Sequence, residues 1–296
     1  MSTPQPGIFG LGTRQHCHLE FDRRGANQQL LDAIRRVRES TGTVAGVNVV
    51  VGFGPELLAA LSPNDVPDGF ESFRPIDGAD GFTIPGGQHD LWIWLHGSGQ
   101  DVVLDAARSV VRELGGVATL ATEQQSFAYG FSQDLTGFED GTENPSLDDA
   151  PDVATVPGSD PGAGGSVVLL QRWVHDLAAF DALDVDARER VIGRTLADST
   201  ELDESLQPAD SHVSRVVIED ADGDELEVFR RSTAFGGVRQ HGLVFLAFSA
   251  DSARLQRMLE RMAGTEDGIR DQLTEYSSPQ SSGWYFAPPV ELLRRP

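Results

Sequence analysis

Between residues 137 and 145 the chain reads Gly137-Phe138-Glu139-Asp140-Gly141-Thr142-Glu143-Asn144-Pro145. Two glycines allow positive φ and a close approach of backbone to a ligand, and Pro145 fixes the exit direction. Taken alone, the Asp140-Gly141 pair reads as an Asx-type surface turn. The seven histidines, His16, His18, His89, His96, His175, His212 and His241, are the candidate metal ligands, although any single one reads first as a structural side chain. His212 stands out by context, because it opens Ser211-His212-Val213-Ser214-Arg215-Val216, a stretch with strand character after a loop. His175, beside Asp176, reads as a structural histidine paired with its acidic neighbour. Strand alternation puts Arg230 and Ser232 on one face and Arg231 on the other, as a solvated charge. A guanidinium can stabilise developing negative charge; as a plain surface ion pair it is worth under about 1 kcal/mol. Arg194, in Gly193-Arg194-Thr195, reads by itself as a helix-surface charge beside Arg188 and Arg190. Leu243 and Phe245 alternate on one strand face and read as core.

The nonapeptide closely resembles the Gly-x-x-Asp-Gly signature of the dye-decolorising peroxidases, in particular the compact B-type branch. The resemblance runs from residues 9–22 to Trp284-Tyr285-Phe286; outside the nonapeptide it rests on the order and spacing of weaker segments. It implies one haem b per chain, with Asp140 on the distal side of the iron handling a peroxide proton. The family places its axial ligand in a Ser/Ala-His-Val start like that at His212, and its distal arginine and a nearby polar residue in a segment like that of Arg230 and Ser232. The Gly-Arg-Thr match implies that Arg194 meets a haem propionate, and the matching strand implies that Leu243 and Phe245 line the distal pocket. Cleaving peroxide requires a proton moved between its oxygens and a positive group to offset the charge that develops. Whether Asp140 or Arg230 dominates varies within the family. The implied activity is reduction of hydrogen peroxide through an oxoferryl intermediate, with oxidation of organic donors such as dyes and phenols. Electrons would enter through aromatics, among which Trp92, Trp94, Trp173, Tyr129, Tyr276, Trp284 and Tyr285 are available. A haem carrier or iron-release protein on the same fold is the alternative, and it would not depend on Asp140 and Arg230. A calcium-stabilised loop fits poorly, since Asp140–Asn144 lacks the EF-hand's alternating acids. Glu143, Glu201 and Glu225 could attract a cation such as manganese, but read first as a solvated acidic surface.

Elements must carry these groups. Leu30, Leu31, Ile34 and Val37 recur at helical spacing over 27–40. Strands are expected at 9–22, 47–54, 91–96, 165–175, 212–219 and 243–248, and helices at 101–114, 186–197 and 252–262. Residues 117–130 extend toward the signature, and 146–165, rich in Asp, Pro and Gly, read as a loop. The strand-turn-helix at 91–114 returns at 243–262, and 9–22 returns at 164–177, each about half the 296-residue chain apart. This internal duplication predicts an α+β fold of tandem ferredoxin-like units, of the dimeric α/β-barrel type. The N-terminal unit spans 1–145, a connecting loop 146–165, and the C-terminal unit 166–296 holds the haem.

Charge bounds the partners. There are 46 acidic and 23 basic residues, a net charge of −23, and every basic residue is Arg. That field disfavours nucleic acid and anionic membranes, so an anionic ligand needs a specifically placed Arg. No apolar run approaches the roughly 18 residues of a membrane span, and Met1–Pro6 carries no signal pattern, which together predict a cytoplasmic protein. Cys17 is the only cysteine, so no intrachain disulfide forms, and it reads as a small strand residue. A homo-oligomer is expected from the family resemblance. The chain ends at Val290–Pro296 without a long extension, which gives packaging into a protein nanocompartment little support.

Overall fold

The computed structural model describes residues 2–41, 46–130, 133–158, 160–203, 205–220, 222, 223 and 225–294. Met1, Arg295 and Pro296, which belong to the readings of the two chain ends, lie outside them. The first half runs β1 (Gln15–Arg23), α1 (Asn27–Thr41), β2 (Asn48–Phe53), α2 (Pro55–Leu61), a small ribbon β3 (Ile76–Asp77) and β4 (Thr83–Ile84), β5 (Leu91–Gly97), α3 (Gln100–Leu114) and β6 (Ala118–Phe127). The second runs α4 (Ala150–Ala154), β7 (Ser166–His175), α5 (Leu177–Asp181), α6 (Val185–Ile192), α7 (His212–Val216), β8 (Phe229–Arg230), β9 (Thr233–Gly236), β10 (His241–Ser249), α8 (Ser252–Ala263), β11 (Ser277–Ala287) and α9 (Val290–Arg294).

The large sheet is ordered β7-β11-β2-β5-β1-β6-β9-β10-β8, and β7 also pairs with β10, so the sheet closes on itself. Each half contributes four antiparallel strands in the ferredoxin-like order fourth-first-third-second, β6-β1-β5-β2 and β11-β7-β10-β9, and the second half adds the short β8 against β10. The seams are thin, with Phe286 opposite Phe53 on one side and Phe127 opposite Ala234 on the other. This is the expected α+β barrel of two ferredoxin-like units.

Closure buries both strand faces, so the strands do not show the simple apolar-polar alternation of a sheet with one wet face. Along β1, Cys17, Leu19 and Phe21 point to an outer core shared with α1, α3 and α8. His16, His18 and Glu20 alternate with them and are buried too. Inside, Trp92, Trp94, Val168, Val244, Leu246, Phe248 and Tyr285 pack together. The helices follow the sequence pattern: Leu30, Ala33, Ile34 and Val37 of α1 are fully buried, and α8 is capped by Asp251 and closed by Gly264 at φ 70°.

Four expectations are corrected. The 212–219 strand is instead the short helix α7, started by the Ser211 hydroxyl accepting from Ser214 N; the cap overrides the β-branched valines. α6 stops at Ile192, because Gly193 takes φ 92° as its C-cap, leaving Arg194 beyond the helix. The connecting loop holds the helix α4. β1 begins at Gln15, after a 3-10 turn at Pro6–Phe9.

Candidate active site

A cavity of about 1350 Å3, counting the space in its open mouth, lies on the outer side of the second unit's strands. Gln171, Trp173 and His175 of β7 and Leu243 and Phe245 of β10 form one wall, with α7, α8 and the signature loop around it. Asp140, Arg230, His212, Arg194, Leu243 and Phe245 all line it. Ser232 is not among its lining residues; its Oγ is buried without a partner. Alternation explains the division on β10, where Leu243 and Phe245 face the cavity and Val244 and Leu246 face the barrel core.

His212 is the first residue of α7, and its Nδ1 lies 2.7 Å from Asp271 Oδ2. Asp271 is fully buried, and its other oxygen accepts from Leu273 N at 2.9 Å. A carboxylate on Nδ1 puts the hydrogen there and leaves the Nε2 lone pair for a metal. His175 also lines the cavity, but its Nδ1 pairs with the Ser277 hydroxyl at 2.8 Å. It does not pair with Asp176, whose side chain instead caps α5. Burial holds His175 down at about 4, with His241 adding to the effect. Of the two imidazoles, His212 has the carboxylate that orients and strengthens a metal-binding ring.

The signature loop is fixed from both ends. Gly137 and Gly141 adopt φ 91° and 79°, and Phe138 is buried against Phe180, Val191 and Ile192. The Asn144 side chain grips the backbone of Arg230: its Nδ2 donates to Arg230 O at 2.9 Å and its Oδ1 accepts from Arg230 N at 2.8 Å. Asp140 and Arg230 are thereby held on one cavity. Arg230 Nε is buried with no hydrogen-bond partner, the mark of a donor whose acceptor arrives with a ligand. Arg231 turns the other way, donating to Ile8 O at 2.6 Å and Gly10 O at 2.8 Å and lying over the Trp94 ring. Burial pulls it down to about 10, so the expected solvated charge is instead a packed one.

Arg194 is 7 % exposed and is held by Glu143 at 2.5 Å and Glu201 at 2.6 Å. Those two carboxylates thus serve an arginine, and among the described residues no group of three or more His, Cys, Asp or Glu is set to hold a metal ion. Burial raises Glu225, with Glu143, Glu227 and Glu201 adding to it. Asp134, also on the cavity wall, was not singled out in the sequence. Its Oδ1 accepts from Thr136 N at 2.8 Å and from the Thr136 hydroxyl, and burial, reinforced by Asp140, raises it to about 6. Asp271 and the clamp made by Asn144 were missed as well. The nonapeptide contains the asparagine, but only the fold sets Arg230 opposite it.

Comparison with known proteins matches the chain along almost its whole length. Residues 23–128 match the family described as Dyp-type peroxidase, N-terminal, and residues 132–292 match Dyp-type peroxidase, C-terminal. A dye-decolorizing peroxidase of Mycobacterium tuberculosis is 33% identical over 254 residues, covering 84% of this chain and 76% of that protein. A variant of DypB from Rhodococcus jostii, solved in complex with haem, superposes with a TM-score of 0.91 at 30% identity, covering 98% of each chain. The encapsulated DyP-type peroxidase of Mycobacterium smegmatis gives 0.92 at 31% identity, covering 100% of this chain and 99% of that one. Among the described residues no helix is long and apolar enough to cross a membrane.

Proposed function

The chain belongs to the Dyp-type peroxidase family, and with that as premise we propose how its own residues divide the work. The protein is a haem peroxidase, reducing hydrogen peroxide and oxidising organic donors such as dyes and phenols. Haem, when bound, would supply the redox-active iron at which peroxide is reduced. His212 holds that iron through Nε2, and Asp271 keeps its hydrogen on Nδ1. The Asp140 carboxylate takes the proton from the bound peroxide oxygen and returns it to the leaving one. The Arg230 guanidinium offsets the negative charge on the leaving oxygen, whereas Ser232, expected beside it, keeps its buried Oγ off the cavity lining. Leu243 and Phe245 are the apolar wall of this half of the cavity. Arg194 meets a haem carboxylate, positioned for it by Glu143 and Glu201; in a chain of net charge −23 that contact needs a built-in cation.

One observation carries the assignment: the carboxylate-backed His212 and the unpartnered Arg230 Nε border the same cavity. Stopped-flow reaction of haem-loaded Asp140→Ala and Arg230→Ala with peroxide tests it. We expect at least one variant to slow by roughly 100-fold or more. Unchanged rates in both would favour the haem carrier.

We set the units at 1–145 and 166–296 with 146–165 between them; the two family matches part earlier, between 128 and 132. Hydrogen peroxide, small organic donors and a second copy of the chain are the proposed partners, without nucleic acid or membrane. The Mycobacterium smegmatis relative is encapsulated, so the fold is compatible with encapsulation and the short C-terminus is no argument against it. A single buried, unpaired cysteine suits the reducing cytoplasm, where we place the protein.

A further inference from the structure

The barrel encloses a second set of reactive side chains that peroxide cleavage does not use. His16, His18 and Glu20 from β1, Trp92, Trp94 and His96 from β5, and Tyr285 from β11 are all buried there. Their rings follow one another: Tyr285 to Trp92 at 5.8 Å between centroids, Trp92 to Trp94 at 6.2 Å, and Trp94 to His96 at 4.0 Å. Each oxidisable ring gives its polar hydrogen to its own base. Trp92 Nε1 donates to His18 Nδ1 at 3.4 Å, Trp94 Nε1 to His16 Nδ1 at 3.2 Å, and the Tyr285 hydroxyl to Glu20. Small barrels are ordinarily filled by apolar side chains, and burying imidazoles and a carboxyl is costly. Burial holds His16 down at about 4 and His18 lower than its ordinary value, so both are neutral bases near pH 7. Burial also raises Glu20, making it a stronger base for the phenolic proton.

This stack and the cavity are two faces of one strand. Leu243 and Phe245 of β10 face the cavity, while Phe248 touches the stack, 6.5 Å from Trp92 and 6.1 Å from Trp94. The thickness of that one sheet separates them. Arg231 places its guanidinium over Trp94 at 5.2 Å, which disfavours positive charge on that ring and leaves Trp92 and Tyr285 as the favoured sites.

We propose that Tyr285, through Trp92, is an internal one-electron donor to the cavity, with Glu20 as acceptor of its proton. This rests on the reading of the cavity as a haem peroxidase site. The Tyr285 phenol gives one electron to an oxidising equivalent left on the cofactor by peroxide, and its O–H proton passes to the Glu20 carboxylate. A neutral phenoxyl radical and a protonated Glu20 result. One electron from an organic donor, with the proton returned from Glu20, restores the phenol. The barrel thus shelters an oxidising equivalent when no donor is at hand.

Freeze-quench EPR of the haem-loaded protein, mixed with one equivalent of peroxide and no donor, tests this. The chain has three tyrosines, Tyr129, Tyr276 and Tyr285. We expect a tyrosyl signal that is lost in Tyr285→Phe and retained in Tyr129→Phe and Tyr276→Phe. A signal that persists in Tyr285→Phe, or that vanishes only in Tyr276→Phe, overturns the proposal. Should Tyr285→Phe fail to fold, Glu20→Gln keeps a hydrogen-bond acceptor but removes the base, and an undiminished signal there overturns it equally. In the wild type, ring-deuterated tyrosine should narrow the spectrum, and an unchanged spectrum counts against it. The Soret band separates the two levels: a band that responds to peroxide without a tyrosyl radical removes this inference alone, whereas a band that does not respond removes the peroxidase reading with it.

Discussion

At the scale of single residues, the site depends less on which groups line the cavity than on what stands behind them. His212 and His175 both border the cavity, yet only His212 is backed by a carboxylate. Replacing Asp271 by Asn keeps the size of the side chain and an oxygen to accept from Leu273 N, but removes the charge behind the imidazole. Haem affinity, measured by titration of the Soret band, should fall roughly 10- to 100-fold. His212→Ala should abolish the native axial ligation, while His175→Gln should leave the ligation spectrum intact. The reverse pattern would transfer the ligand role to His175. The sequence singled out His212 as a candidate but carried no trace of Asp271, which lies 59 residues away and reaches the ring only through the fold. Arg231 teaches the same point with a different outcome. Its neighbour Arg230 faces the cavity, while Arg231 is taken up by two backbone carbonyls and a tryptophan face.

At the scale of elements, the signature loop acts as a clamp. Gly141 holds φ 79°, and a Cβ there would meet Asn144 Nδ2 at 2.9 Å. Gly141→Ala therefore adds left-handed strain of about 1–2 kcal/mol and pushes on the amide that holds Arg230. We expect a lower Tm and a slower reaction with peroxide, with haem affinity largely kept; equal losses of rate and haem affinity would mean that the loop holds the cofactor rather than Arg230. Regular elements with a clear period were legible: α1, α3 and α8 at helical spacing, and β5, β7 and β10 as apolar runs. Two elements were not. In α7 and at its C-cap, Val213, Val216 and Val217 suggest a strand, and the Ser211 cap decides otherwise. β11 begins Ser277-Ser278-Pro279-Gln280-Ser281-Ser282-Gly283, a run of turn formers, yet it pairs along nearly all of β7. It tolerates Pro279 because the pairing register shifts between Pro279 and Ser281, an irregularity of the kind that admits proline. Propensity misleads where long-range pairing supplies what local sequence withholds.

For the whole molecule, closing the barrel fixes how stability responds to acid. His16 and His96 are sealed inside, and burial is the first cause holding them down at about 4 and about 3, with Arg231 contributing to both. Their unfolded value is about 6.5, so between that value and the folded one the unfolded chain binds more protons. Stability therefore falls as pH drops, by about 2 kcal/mol for each of the two between pH 7 and pH 5. His18, depressed by burial and by the other two imidazoles, acts in the same direction. Asp134 opposes them: its folded value of about 6 lies above the ordinary carboxyl range, so its protonation returns about 1 kcal/mol over the same interval. Losing part of the −23 net charge also relieves self-repulsion on acidification, but salt screens that effect more than it screens buried groups. Urea unfolding at high salt should accordingly give a lower midpoint at pH 5 than at pH 7. The His16→Gln, His96→Gln double variant should flatten the dependence, leaving His18 and His175 against Asp134 and Glu20. A wild-type midpoint that rises toward pH 5 at high salt would mean that the imidazoles are not sealed from water and that the barrel is open at its seams.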